Sequence, residues 1–175
     1  MENHKLSPLF TQQQIQEKIK ELANQITQKI NGEPLTAVCI LKGSFIFFAD
    51  LIRQIPLDIT CDFLGVSSYQ GTQSSGEVKI SLDLASPVKN QNLLLVEDIV
   101  DTGLTMNYLQ KNLASRGPKS ITTVALLNKP GMREVECQID FFGFNIGNDF
   151  VVGYGLDYNG FYRNLPYIAQ IQDFN

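Results

Sequence analysis

The sequence is poor in the side chains that most often carry nucleophilic and metal chemistry. Among 175 residues there is one histidine, His4, and the three cysteines, Cys39, Cys61 and Cys137, stand far apart. A single histidine near a terminus excludes Ser–His and Cys–His catalysis and most zinc sites. The cysteines have neither redox nor metal-ligand spacing, so we interpret them as reduced thiols in or near the core.

Long apolar runs and a basic charge balance are also missing. No run approaches the ~18 apolar residues of a membrane-spanning helix, and the first ten residues lack the pattern of a secretory signal. The composition, 43% hydrophobic and 18% charged, is typical of a globular protein. A net charge of -4 disfavours a general nucleic-acid binder, which usually has a basic face. We therefore expect a single cytoplasmic domain over residues 1–175, with no membrane and no nucleic-acid partner.

The chain does contain alternating helix and strand patterns. Amphipathic spacing predicts a helix over Phe10–Asn31, with Thr11 as its N-cap. Further helices are predicted from Ser44, a candidate N-cap, to about Gln54 and over Leu104–Arg116. The predicted buried face of the second helix consists of Phe45, Phe48, Leu51 and Ile55. Strands are predicted at Leu35–Leu41, Leu57–Val66, Val78–Leu84, Leu93–Val96 and Ser120–Leu127, and at Val151, Val152 and Tyr154. This order predicts an α/β fold with a largely parallel central sheet flanked by helices.

A polar stretch separates two of the predicted strands. Ser67–Glu77 is rich in Ser, Gly and Gln and contains almost no apolar residue, so we interpret it as a loop. With the strands before and after it, this loop predicts a two-stranded antiparallel flap. Such a flap can close over a site as a lid, or it can be an ordinary mobile hairpin.

The clearest chemical signal is the stretch Leu93–Thr105, in which a buried strand leads into acids and then into a helix. Ligands gather at the carboxyl ends of parallel strands, and a helix N-terminus offers N–H groups and a positive dipole end to phosphate. Glu97 and Asp98 are suited to sugar hydroxyls or to Mg²⁺. Local chemistry therefore suggests a sugar phosphate, although the acids could equally end a strand and cap a helix.

The sequence around these acids, VEDIVDTGLT at Val96–Thr105, resembles the phosphoribosyl-diphosphate signature of type I phosphoribosyltransferases. Other segments resemble the hypoxanthine/guanine branch of that family in the same order: Leu41–Leu51, Val66–Ile80, Leu127–Pro130 and Asp149–Arg163. Together they cover well over half the chain. The resemblance implies the type I fold, with a lid at about 66–80 and a small C-terminal hood at about 145–175.

The resemblance also implies a reaction and its cofactor. The phosphoribosyl group of 5-phosphoribosyl 1-diphosphate would pass to hypoxanthine or guanine, giving IMP or GMP and pyrophosphate. Mg²⁺ would assist, with Glu97 and Asp98 at the ribose and the metal, and Asp157 at a second metal through water. Asp101 would exchange the proton at purine N7.

The same resemblance assigns the remaining contacts. The 5′-phosphate would bind to Asp101, Thr102, Gly103, Leu104 and Thr105, a segment that we call the phosphate loop. Pyrophosphate would bind to Leu41, Lys42, Gly43 and Arg163, and the Leu41–Lys42 peptide can be cis in relatives. The purine would be held by Ile99, Lys129, Phe150, Val151 and Asp157. Ser68 and Tyr69 would begin the lid.

Lys129 carries the implied choice of base. A lysine at the exocyclic O6 favours 6-oxopurines over adenine, whose amino group cannot accept a hydrogen bond. Two alternatives stay open: an enzyme of this fold specific for xanthine or for guanine alone, and a regulator of the same fold that binds RNA or senses a nucleotide. Relatives form oligomers, so a homodimer or homotetramer is expected.

Overall fold

The computed structural model describes residues 5–68 and 78–172. Its helices are α1 (Gln12–Ile30), α2 (Phe45–Ile52) and α3 (Leu104–Ala114), with one short 3-10 turn at Pro130–Met132. Its strands are β1 (Leu6–Phe10), β2 (Leu35–Leu41), β3 (Ile59–Ser68), β4 (Val78–Leu82), β5 (Asn92–Val100), β6 (Ser120–Asn128), β7 (Phe141–Asn145), β8 (Val151–Val152) and β9 (Ile168–Ile171). Within these residues, no helix combines the length and the apolar character that a membrane span requires.

Six strands form the central sheet in the order β4-β3-β2-β5-β6-β7. All neighbours are parallel except β4, which pairs antiparallel with β3. This confirms the predicted α/β class and the predicted flap. The loop of the flap, including Tyr69, lies outside the described residues. A second, antiparallel sheet has the order β1-β9-β8.

Helix α1 forms as the sequence predicts, and its caps explain where it starts and ends. Thr11 is the N-cap and exchanges hydrogen bonds with Gln14 in a capping box. Asn31 ends the helix in the left-handed conformation, with φ of 53°. The buried face comprises Ile15, Ile19, Leu22, Ala23, Ile26 and Ile30. It packs in the main core against α2 and the central sheet.

Helix α2 differs from its prediction in two ways. Phe45 is 43% exposed, whereas Phe47 is fully buried beside Phe48 and Leu51. The short, apolar helix leaves several possible faces, and packing rather than periodicity selects one. The buried Ser44 hydroxyl does not cap the helix, because it donates to the Ile40 carbonyl oxygen at 2.6 Å.

Strand β5 runs further than its apolar core predicts. Pairing with β6 continues through Glu97 and Ile99 to Val100, so the acids lie within the strand. No local pattern in the sequence predicts β1, β7 or β9. Strand β1 joins residues near the start of the chain to the second sheet, which therefore contains more than the C-terminal hood segment.

Candidate active site

Three parallel strands bring the predicted segments to one edge of the central sheet. Strand β2 ends at Leu41, β5 ends at Val100, and β6 ends at Asn128, so Lys129 follows directly. The Lys129 N–H donates to the Val100 carbonyl oxygen at 2.9 Å, which joins the ends of β5 and β6. This edge is where an open parallel sheet usually binds its ligand.

The two acids of β5 are poorly compensated by their surroundings. Glu97 Oε2 is shut off from solvent and has no hydrogen-bond partner among the described residues. Burial, and to a lesser extent the neighbouring Asp98 carboxylate, raise the pKa of Glu97 well above its usual range. Burial likewise raises the pKa of Asp98 to about 6, although the Ile99 N–H donates to its Oδ1 at 2.8 Å and opposes the shift. The site therefore holds a buried acceptor oxygen, Glu97 Oε2, that lacks a donor among the described residues.

Glycines allow three separate segments to meet beside Asp98. A Cβ on Gly43 would lie 1.5 Å from Asp98 Oδ2, and a Cβ on Gly155 would lie 2.0 Å from the Gly43 carbonyl oxygen. Gly155 also has a φ of 101°, a conformation that side chains disfavour. The Leu41–Lys42 peptide is cis. Thus the predicted pyrophosphate segment, the β5 acids and the hood are in direct contact.

The phosphate loop connects β5 to α3. Gly103 adopts a φ of 85° as the N-cap residue of α3, and Thr102 Oγ1 accepts from the Leu104 N–H at 3.4 Å. Asp101 Oδ1 is buried with no hydrogen-bond partner among the described residues. A cavity of about 80 Å³ lies here, lined by Glu97, Ile99, Val100, Asp101, Thr102, Gly103, Thr105 and Met106. A helix N-terminus, hydroxyls and an open cavity suit an anionic group.

Lys129 is buried, with only 7% of its surface exposed. Its Nζ lies 4.0 Å from Asp101 Oδ2, close enough for electrostatic attraction and too far for a direct hydrogen bond. A lone lysine in a sequence usually lies on the surface. The burial of Lys129 beside the acids therefore results from its place directly after β6 in the folded protein.

Arg163 and Asp157 lie near the acids but are engaged with each other. Arg163 Nη2 lies 2.6 Å from Asp157 Oδ1, and Arg163 Nη1 donates to the Gly155 carbonyl oxygen at 2.6 Å. The Gly160 N–H donates to Asp157 Oδ2 at 2.7 Å. Both Arg163 and Asp157 influence the pKa of Asp98, which places them at the same site. Their pyrophosphate and metal contacts stay predictions.

The predicted purine contacts differ in exposure. Phe150 is 39% exposed and packs edge-on to Tyr158, with ring centroids 5.8 Å apart. Val151 is buried in β8, and Ile99 is half-buried against the main core. Of the two predicted lid residues, Ser68 is the last residue of β3 and pairs with Val78. Tyr69 falls outside the residues that the structure describes.

One neighbour of the phosphate loop was not identified from the sequence. The segment Arg133–Val135 lies behind the loop, since Thr102 O accepts from the Glu134 and Val135 N–H groups at 2.9 and 3.1 Å. A Cβ on Gly103 would lie 2.3 Å from the Val135 carbonyl oxygen. The segment follows Lys129 by a few residues and carries no periodic pattern, so no local signal marks it.

Comparison with known proteins connects this geometry to a family. The family model of the phosphoribosyl transferase domain matches residues 6–159. The chain belongs to this family. Its resemblance to the family signature is therefore confirmed, and the protein is an enzyme of the phosphoribosyltransferase class.

Relatives match over almost the whole length. A hypoxanthine-guanine phosphoribosyltransferase of Staphylococcus aureus is 44% identical over 173 residues, covering 98% of this chain and 97% of that protein. A solved hypoxanthine-guanine phosphoribosyltransferase of Bacillus anthracis, with a HEPES molecule in its active site, has a TM-score of 0.91 and 42% identity, covering 97% and 99% of the two chains. A mutant hypoxanthine phosphoribosyltransferase of Trypanosoma cruzi, in a ternary substrates complex, has a TM-score of 0.91 and 40% identity, covering 99% of this chain and 98% of that chain.

Proposed function

We propose that this phosphoribosyltransferase acts in purine salvage in the cytoplasm. It transfers the phosphoribosyl group of 5-phosphoribosyl 1-diphosphate to hypoxanthine, to guanine or to both, giving IMP or GMP and pyrophosphate. The names of full-length relatives support the substrate class. The observation that carries the proposal is the combination of Lys129, buried at the end of β6, with unpartnered acceptors on Glu97 and Asp101.

The acid/base role falls to Asp101. In the reaction, the C1′–O bond to pyrophosphate breaks, a C1′–N9 bond forms, and the purine loses a proton that Asp101 accepts from N7. Its buried Oδ1 has no hydrogen-bond partner in the described structure, so it is available to receive that proton. Lys129 Nζ lies 4.0 Å from Asp101 Oδ2, which places a positive charge beside the proposed base.

The purine is held between Lys129 and the hood. Lys129 donates to O6, and the backbone of Val151 and Asp157 meets the edge of the base. Phe150 stacks on one face while Ile99 packs on the other. A buried lysine that loses its acceptor would be left unpaired, so adenine should be disfavoured more strongly than a difference in shape alone would cause.

The residues present fit Mg²⁺ only together with substrate. The described part of the chain contains no group of three or more His, Cys, Asp or Glu side chains able to hold a metal by itself. Magnesium is commonly bound by one or two carboxylates plus substrate phosphates. Glu97 and Asp98 supply such carboxylates, and the orphaned Glu97 Oε2 needs a donor or a cation. Asp157 would contact a second ion through water. When bound, Mg²⁺ would neutralise charge on the pyrophosphate.

The pyrophosphate and the closure of the site involve the remaining segments. Leu41, Lys42 and Gly43 bind the pyrophosphate, with Gly43 packed against Asp98, and Arg163 adds positive charge near the same carboxylate. Ser68 and Tyr69 begin a lid over the site, which would exclude water from an oxocarbenium-like transition state. We further propose a single domain with this lid at about 66–80, and a homodimer or homotetramer.

Steady-state kinetics with hypoxanthine, guanine, xanthine and adenine tests this function. Each base is supplied with 5-phosphoribosyl 1-diphosphate, with Mg²⁺ present or replaced by a chelator. We expect turnover of hypoxanthine and guanine only with Mg²⁺, and a kcat/KM for adenine at least about a hundredfold lower. Faster turnover of adenine than of both hypoxanthine and guanine would contradict the proposal. Salt-dependent RNA binding without turnover would favour a regulator.

A further inference from the structure

Arg133 lies directly behind the phosphate loop. A Cβ on Gly103 would lie 3.0 Å from Arg133 Cδ and 3.1 Å from its Nη1, so the guanidinium is packed against the one residue of the loop without a side chain. Gly103 starts α3 in the left-handed conformation, with a φ of 85°. A larger residue at Gly103 would push the guanidinium away from the loop.

Two neutral groups hold the guanidinium in place. Arg133 Nη2 donates to Asn128 Oδ1 at 2.6 Å, and Nη1 donates to Cys137 Sγ at 3.4 Å. Asn128 is buried at the end of β6, and its Nδ2 donates to Asn145 Oδ1 at 2.8 Å. Through Asn128 the arginine is therefore anchored to β6, and the hydrogen bond from Asn128 to Asn145 connects that anchor to β7.

Arg133 keeps its positive charge uncompensated. None of the described carboxylates lies within ion-pair distance of its guanidinium, in contrast to Arg53, Arg116 and Arg163. Asn128 and Cys137 accept hydrogen bonds without bringing a negative charge when the thiol is protonated, and burial raises the pKa of Cys137. A fixed cation at the back of a helix N-terminus adds to the attraction of that terminus for an anion.

The same segment also joins the loop to the purine side. Lys129 is followed by the 3-10 turn Pro130–Met132, and the next residue is Arg133. The backbone of Glu134 and Val135 then donates to Thr102 O. One short segment thus carries both the lysine expected at the base and the guanidinium behind the phosphate loop.

We propose that Arg133 is a positioning and specificity-determining residue: held by Asn128, it fixes the phosphate loop at Gly103 and makes the site prefer ligands that carry a 5′-phosphate. The inference rests on the proposed function, because it assigns the 5′-phosphate to this loop. It predicts that losing the charge weakens phosphorylated ligands selectively, whereas a purely structural role would weaken phosphorylated and unphosphorylated ligands alike.

Calorimetric binding of IMP and of inosine to the full chain separates these roles. In Arg133→Gln we expect IMP to bind about tenfold more weakly and inosine to be affected less than about twofold. Arg133→Lys keeps the charge and should recover most of the preference for IMP. Equal weakening of IMP and inosine, or no change in either, would overturn the proposal.

Arg116→Gln is the matched control. Arg116 also donates to an asparagine, with its Nη2 2.6 Å from Asn112 Oδ1, but it follows the opposite end of α3. Its loss should leave the ratio of IMP to inosine affinity unchanged. If Arg133→Gln does not fold, Asn128→Ala carries the test by releasing the guanidinium from its anchor. A smaller but still selective loss for IMP supports the proposal, and an equal loss for both ligands overturns it.

Failure of the proposed function would be seen separately, as absence of turnover by the unaltered enzyme. In that case ribose 5-phosphate and ribose replace the nucleotide pair, because they test the loop without a base. A selective loss of ribose 5-phosphate binding in Arg133→Gln would still support the role of Arg133, and unselective loss would overturn it.

Discussion

Two groups of acids in this protein differ in the partners of their carboxylate oxygens. Asp50 and Asp140 are surrounded by donors, whereas Glu97 and Asp101 each have a buried oxygen without a partner among the described residues. Asp140 accepts from Lys29 Nζ at 2.5 Å, from the Thr123 N–H at 2.8 Å and from Gln138 Nε2 at 2.9 Å.

The pKa values follow this difference in partners. Burial alone would raise the pKa of Asp140, but its hydrogen bonds, that from Lys29 foremost, lower the pKa below its usual value. The pKa of Asp50 is lowered in the same way, against burial, by Tyr154, Gln16 and Arg53. At Asp98, burial prevails and raises the pKa to about 6. Burial alone therefore does not mark a site: the donors around Asp140 outweigh its burial, whereas the donors around Asp98 do not.

The largest expected effect comes from removing the base at Asp101. Asp101→Asn should lower kcat by about 10²–10⁴-fold with little change in KM, because an amide cannot accept the N7 proton. Steady-state kinetics with hypoxanthine measures this. Asp140→Asn serves as the control acid and should leave kcat within about twofold. An unchanged kcat in Asp101→Asn would remove its acid/base role.

The second prediction concerns the cost of ionising Asp98 in the metal-free, ligand-free protein. The pKa of Asp98 is raised from 3.8 to about 6 on folding, so the cost is absent below about pH 4, grows up to about pH 6 and persists above it. Asp98→Asn should therefore be more stable than the unaltered protein by up to about 3 kcal/mol at pH 8, and equal to it at about pH 4. Urea unfolding with a chelator present measures this difference. Lower stability of the variant at pH 8 would refute the proposed cost.

The third prediction tests the buried cation beside the acids. Lys129→Ala should raise KM for hypoxanthine and guanine by about 10- to 100-fold, because a charged hydrogen bond to O6 contributes about 1.5–3 kcal/mol. Adenine, which offers no such acceptor, should be affected much less. Lys29→Ala, which removes the partner of Asp140 instead, should leave all KM values unchanged. Equal losses for every purine would count against recognition of O6.

The smallest expected effect is on the well-partnered acid. Asp140→Asn should destabilise the protein by about 1–2 kcal/mol at pH 7, because it weakens charge-assisted hydrogen bonds. The folded-state pKa of Asp140 is lowered, so this stabilisation is present above about pH 4 and is lost as the pH falls through the folded value. Thermal or urea unfolding at pH 7 and pH 3 measures it. If the stability lost in Asp140→Asn were larger at pH 3 than at pH 7, the stabilising role of the ionised Asp140 would be contradicted.

Much of the fold could be predicted because local patterns and tertiary packing agree. Helix α1 is indicated both by the spacing from Ile15 to Ile30 and by the Thr11 cap. Strand β2 is indicated by the uninterrupted apolar run Leu35–Leu41. Helix α2 is different, since its apolar residues occur on several faces and only packing decides that Phe47 is buried and Phe45 is not. Strand β1 contains Pro8 and pairs with residues at the far end of the chain, so no local window predicts it.

The candidate site likewise contains residues that local sequence predicts and residues that only the tertiary structure brings together. The acids and the phosphate loop are contiguous, and their chemistry can be read from Val96–Thr105. Lys129 and Arg133 reach that loop only through the ends of β5 and β6, and Arg163 is paired with Asp157 in a contact that no motif indicates. Local chemistry thus predicted the phosphate side of the site, whereas the base side depended on resemblance to a family.

A crystal structure of the complex with IMP and Mg²⁺ tests the central claim most directly, because it shows which donors reach the unpartnered acids. The account predicts the 5′-phosphate at Asp101–Thr105, the ribose hydroxyls at Glu97 and Asp98, and O6 within hydrogen-bond distance of Lys129 Nζ. A nucleotide bound away from this edge of the sheet, or one that leaves Glu97 and Asp101 without partners, would contradict it.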